Sequence, residues 1–186
     1  MTKLHIINDH YKTWIANNLQ PNVYAVGTLM QRRRCHDGAN SYLVCGNNDE
    51  YAKAYDRFIR RFSKAIYGST NWKRHRELIP NCATLEGGSW KRTRGGGYRY
   101  EVHSTKSGVR FHINASLRRP GWVPFDEFAS ELKRTWAEGD WMMPDIFVQE
   151  RTGDCIGYSL KEGAETLLPN SMSWPRGTGQ WPSNDA

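Results

Sequence analysis

"VRFHINASL", residues 109–117, decides the fold class. Val109, Phe111, Ile113 and Ala115 alternate with Arg110, His112, Asn114 and Ser116. Side chains along a strand point to opposite faces with period two, so the stretch predicts a half-buried strand, apolar on one face and polar on the other. The flanking sequence supplies what the apolar face needs. Upstream, "EYAKAYDRFIRRFSKAI" (50–66) repeats Tyr51, Ala54, Tyr55, Phe58, Ile59, Phe62 and Ile66 at three- and four-residue spacing. That is the pattern of an amphipathic helix, with Arg57, Arg60, Arg61 and Lys64 on its wet side. Downstream of Pro124, Phe125, Phe128, Ala129, Leu132 and Trp136 share one side of a second helix, and Asp126 and Glu127 fill its first turn.

Further strands are predicted at "VYAVGTLM" (23–30), "NCATLEGG" (81–88), "YRYEVHST" (98–105) and "PDIFVQE" (144–150). Glycine-rich turns separate the middle ones, and residues 31–49 read as a polar loop. Gly153-Asp154 offers an N-cap for a last helix carrying Tyr158. The order strand, helix, two or three strands, helix, strand, helix implies an α+β fold. Its central sheet is mostly antiparallel, and flanking helices are expected on one face. One domain spans residues 1–165. Residues 166–186, rich in Pro, Gly, Ser and Asn, read as an extended C-terminal tail.

Composition narrows the function. The 186 residues, 38% hydrophobic with eight Trp and nine Tyr, are enough for one sizeable core. No apolar run approaches the ~20 residues of a bilayer span. The first residues lack the apolar stretch of a signal peptide, so a cytoplasmic location and no membrane partner are expected. Four cysteines without a CxxC pair read as free thiols. A zinc site in "CHDGANSYLVC" (35–45) would lack a second ligand pair. Twenty-six Lys and Arg against nineteen Asp and Glu leave +7. Basic runs at "QRRRCH", "RFIRRFSK", "NWKRHRE", "WKRTRGGGYR" and "SLRRPGW" stand beside aromatics in several places. A polyanion, nucleic acid before membrane, is the partner such runs favour.

His112 and Asn114 share the polar face of their strand. A carboxylate on a neighbouring strand could join them around a hard divalent ion, which would polarise a phosphodiester. Tyr158 is the only one of nine tyrosines with a lysine, Lys161, three residues on. On a helix the two share a face, and a phenol beside a metal-bound phosphate can act as a nucleophile near neutrality.

In order along the chain, "VYAVGTLMQR", "RFIRRFSKAIYG", "IPNCATLEGG", "RFHINASLRRP", "FDEFASELKRTW" and "DCIGYSLKEG" resemble the motifs of the HUH endonucleases. The likeness is to the rolling-circle replication initiators of plasmids and single-stranded DNA phages, and it covers roughly residues 20–165. It implies a nuclease sheet topologically close to RNA-recognition sheets. It implies a metal-dependent, site-specific endonuclease and strand transferase acting on single-stranded DNA at an origin hairpin or nick site. Tyr158 would form a 5′-phosphotyrosine link and free a 3′-hydroxyl to prime synthesis. Lys161 would support the scissile phosphate, and host replication proteins could follow. Glu86, His112 and Asn114 would hold Mg²⁺ or Mn²⁺. A relaxase or transposase would use the same chemistry, and no Walker A motif accompanies it.

Two departures from the family pattern stand out. Asn114 occupies the position of the second histidine, where an amide oxygen can still bind a hard ion. The carboxylate has two candidates. Glu86 belongs to the strand ending in Glu-Gly-Gly and is preferred. Alternatively, a tight turn at Ser107-Gly108 would set His103 opposite His112 and Glu101 opposite Asn114. Two further functions remain open: a non-catalytic single-strand nucleic-acid binder, and a degenerate HUH-fold DNA-binding regulator.

Overall fold

The computed structural model describes residues 3–75, 77–92, 94, 98–101, 111–150, 160 and 166–168. Residues 3–9, 73–75, 89–92 and 98–101 are described by backbone alone. The elements run α1 (Lys3–Leu19), β1 (Val23–Leu29), β2 (Arg32–Asp37), β3 (Asn40–Cys45), α2 (Asn48–Tyr67), α3 (Ser69–His75), β4 (Asn81–Glu86), β5 (Ser89–Arg92), β6 (Tyr98–Glu101), β7 (His112–Leu117), α4 (Phe125–Ala137) and β8 (Met142–Glu150). Four strands form one antiparallel sheet in the order β4-β7-β1-β8. The pairs β2–β3 and β5–β6 are separate two-stranded ribbons. Without those ribbons and α3, β1 to β8 run strand–helix–strand–strand–helix–strand, the α+β, RNA-recognition-like arrangement read from the sequence.

Period-two alternation sorts the sheet into two faces. On one, Ala25, Ala83, Ala115 and Val148 form a row, and Leu85, Ile113, Gly27 and Ile146 form the next. The amphipathic stripes of α2 and α4 cover this face, burying Tyr55, Phe58, Phe62, Phe128, Leu132 and Trp136. Phe58 meets Trp136 edge-on at 5.2 Å between ring centroids, and Phe62 meets Phe128 at 4.9 Å. The geometry is the one aromatic quadrupoles prefer. Gly27 lies directly beneath Trp136: a Cβ there would come within 2.0 Å of the indole. Helix α2 starts where Asn47 accepts the Glu50 backbone N–H at 2.9 Å and ends at Gly68, whose φ is 78°.

The structure changes four expectations. Residues 31–49 are not a polar loop. Most of them form the β2–β3 ribbon, turned by Gly38 at φ 57°. A positive φ confined to the first turn residue suits a two-residue hairpin whose twist matches its strands. Helix α1 had no counterpart in the sequence reading. It also takes the helices off a single face: its Ile15 and Leu19 cluster with Cys82, which points away from α2 and α4. Finally, residues 166–168, read as the start of a tail, are buried. Leu167 bridges to Thr84, and the Leu168 N–H donates to the Ala83 carbonyl at 2.9 Å. No helix among the described residues is long and apolar enough to cross a membrane.

Candidate functional site

The opposite face of the sheet is polar where it is most buried. Its rows are Glu86–His112–Thr28, then Thr84–Asn114–Val26–Phe147, then Cys82–Ser116–Tyr24–Gln149. Glu86 and His112 are direct cross-strand partners, and His112 Nε2 lies 3.0 Å from Glu86 Oε2. Glu86 is fully buried, whereas His112 keeps 30% of its side chain exposed. A buried carboxylate needs a cationic or hydrogen-bonding partner, and here the half-buried His112 imidazole supplies one.

Asn114 follows His112 by one strand period and is also fully buried. Its Oδ1 accepts from the Tyr24 hydroxyl at 2.9 Å, while its Nδ2 has no hydrogen-bond partner among the described residues. Thr84 Oγ1 and Ser116 Oγ are also buried without a partner among the described residues. Such groups each cost about 1–3 kcal/mol when unmet. A half-turn of the Asn114 amide exchanges the roles. Nδ2 would donate to the Tyr24 oxygen, and Oδ1 would take the unpartnered position.

The donor set therefore fits a hard divalent ion: one carboxylate, one imidazole and one amide whose oxygen can turn away from Tyr24. Among the described residues no third His, Cys, Asp or Glu joins Glu86 and His112. Of the two carboxylate candidates, the register favours Glu86. Asn114 lies between Thr84 and Val26, and Glu101 instead pairs with Ser89 in the β5–β6 ribbon. The pairing of Glu101 with Asn114 is thus excluded, because β7 already has a neighbour on both edges. His103, Tyr158 and Lys161 lie outside the described residues. Leu160, between Tyr158 and Lys161 in sequence, is buried against Ile15, Leu19, Cys82 and Leu167. Cys82 is on the same face as Glu86 and His112.

Burial pushes the Cys82 thiol up to about 12, so it stays protonated near neutrality. Burial raises the Tyr51 and Tyr55 phenols further still. Cys35 and Cys45 sit on opposite faces of the β2–β3 ribbon, which separates them as metal ligands.

Phe147 was missed in the sequence. It is 57% exposed, in the same row as Asn114 and about 10 Å across two strand spacings from it. The signal was present: in "DIFVQ", Ile146 and Val148 face the core, which turns Phe147 to the other face. Comparison with protein-family models, curated proteins and solved structures returned no match to this chain.

Proposed function

We propose that the chain is a metal-dependent, tyrosine-based endonuclease and strand transferase acting on single-stranded DNA, of the kind that initiates rolling-circle replication. The observation that carries this reading is the juxtaposition of Glu86 and His112 at 3.0 Å, with Asn114 one period along the same buried polar face. Leu160 adds support: adjacent in sequence to Lys161, it is buried against Cys82, on the side of the sheet that bears Glu86 and His112.

Glu86, His112 and Asn114 would hold Mg²⁺ or Mn²⁺. When bound, such an ion polarises the scissile phosphate and neutralises charge gathering on its oxygens. The Tyr158 oxygen would attack phosphorus as its phenol proton passes to solvent; the P–O3′ bond would break, and the leaving 3′-oxygen would take a proton from solvent to become a hydroxyl. Lys161 offsets the phosphate charge. The 5′-phosphotyrosine keeps the phosphodiester energy, so a later 3′-hydroxyl can rejoin the strand without ATP. Exposed Phe147 offers a stacking surface for a base beside the cleavage point. Host replication proteins would act on the freed 3′ end, and an intracellular setting follows from that substrate.

The test is incubation with random-sequence single-stranded oligonucleotides and Mn²⁺, resolved on a denaturing gel. The reading expects a cleaved strand and a slow-migrating protein–DNA band, both lost with EDTA. Binding without either product would favour the second reading, a degenerate HUH-fold regulator. That alternative draws on the Tyr24 hydroxyl already occupying Asn114 Oδ1.

A further inference from the structure

A second concave patch lies at the other end of the sheet. His112 begins β7 and Leu117 ends it, ~17 Å further on. The chain then turns at Pro120, whose carbonyl accepts the Val123 N–H at 3.1 Å, and Trp122 stands 66% exposed on that turn. The turn is fixed, because Val123 is buried in the core and the Arg119 guanidinium donates to the Val123 carbonyl. Helix α2 ends against the same place. Its last residue, Tyr67, meets Trp122 at 6.4 Å between ring centroids, tilted by 48°. Gly68 breaks the helix, and α3 brings in Trp72, whose N–H donates to the Gly68 carbonyl at 3.0 Å.

Tyr67, Asn71, Trp72, Glu77 and Trp122 line one cavity of about 350 Å³. Three of them are aromatic, one is a carboxylate, and among the described residues no Lys or Arg joins them. Glu77 forms no hydrogen bond or ion pair among the described residues. Burial, and then the Glu77 charge, push the Tyr67 phenol up to about 12. Aromatic faces are negative and attract cations, Trp most strongly, and a carboxylate beside them adds to the attraction. A nucleic-acid stacking site pairs its aromatics with basic groups, the reverse of this lining. Guanidinium suits the set better than ammonium, because its plane stacks on an indole while its fork grips a carboxylate. With Trp122 so exposed the mouth stays open, whereas a free small molecule is usually enclosed on most sides. A side chain carried by another protein needs no such closure. We propose that Tyr67, Trp72, Trp122 and Glu77 form an aromatic cage for an arginine side chain of a partner protein. The cage is independent of the Glu86–His112 pair and of Tyr158.

Proton–nitrogen NMR of the indole N–H groups tests it, with Trp72→Phe and Trp122→Phe spectra identifying the two signals. A glycine-flanked arginine peptide should shift both signals saturably. Its citrulline counterpart, the same shape without the charge, should bind at least about fivefold more weakly. Trp122→Ala should weaken the arginine peptide by a similar factor and leave the unfolding midpoint unchanged, since that ring is mostly exposed. Glu77→Gln should weaken it too and flatten its salt dependence. Tyr67→Phe, which keeps the ring, should bind normally. Equal binding of the arginine and citrulline peptides, shifts from neither, or undiminished binding by Trp122→Ala would overturn the cage. So would shifts from guanosine monophosphate in place of the arginine peptide, which would mark a nucleobase pocket instead.

Discussion

The two faces of the four-stranded sheet differ by one residue of register and by almost everything else. The covered face buries a continuous apolar core, with Trp136 seated so closely on Gly27 that even a methyl group is excluded. The opposite face buries Glu86, Thr84, Asn114 and Ser116, and among the described residues Thr84 Oγ1, Asn114 Nδ2 and Ser116 Oγ have no hydrogen-bond partner. Burying polar groups without partners is destabilising, and the aromatic packing of the first face has to offset it. The lesson is a division by strand parity: odd positions of β7 pack into the apolar core, and even positions bear the polar side chains on which the proposed chemistry rests.

That division can be broken by substitution. The largest expected effect is on chemistry. Glu86→Gln and His112→Ala should each lower Mn²⁺-dependent cleavage about a thousandfold, because a lost ligand removes several kcal/mol of charge stabilisation. Glu86→Gln should leave the urea unfolding midpoint nearly unchanged, and a collapse of both quantities together would mean that the pair is structural. On the covered face the pattern reverses. Trp136→Ala should cost about 3–5 kcal/mol of stability by equilibrium unfolding. Cleavage per folded molecule should stay near wild type, and a selective loss of cleavage would blur the two faces.

Phe147→Ala sharpens the comparison at the open edge. Single-strand affinity should fall by about 1–3 kcal/mol, measured by anisotropy, with stability changed by less than about 0.5 kcal/mol. Unchanged affinity would remove the stacking role. The smallest effect is expected at Asn114. Asn114→His should keep cleavage and tighten Mn²⁺ binding a few-fold, since imidazole outcompetes an amide oxygen for first-row ions. Weaker Mn²⁺ binding in calorimetry would place Asn114 outside the ion's reach.

Much of this was legible in the sequence because it rests on short-range periodicity. The helix stripes from Tyr51 to Phe62 and from Phe128 to Trp136 lie where their spacing put them. So does the alternation that turns His112 and Asn114 to one face. What escaped was set by contacts distant in sequence. Residues 31–49 lack an apolar alternation, since the ribbon buries almost nothing, and only Gly38 marks its turn. Leu167 and Leu168 are buried because they meet β4, more than eighty residues earlier in the chain. Glu86 and Glu101 could not be separated by spacing, because the choice depends on which strand lies beside β7. The sheet order puts β4 there, with Glu86 beside His112.

The central claim is that the polar face serves a tyrosine nucleophile, and peptide mapping of a trapped adduct tests it most directly. Wild-type protein incubated with single-stranded DNA and Mn²⁺, then digested and analysed by mass spectrometry, should carry a nucleotide-modified peptide at Tyr158. Tyr158→Phe should carry none while binding DNA with nearly unchanged affinity. Modification at another tyrosine, or an undiminished adduct in Tyr158→Phe, would contradict the account.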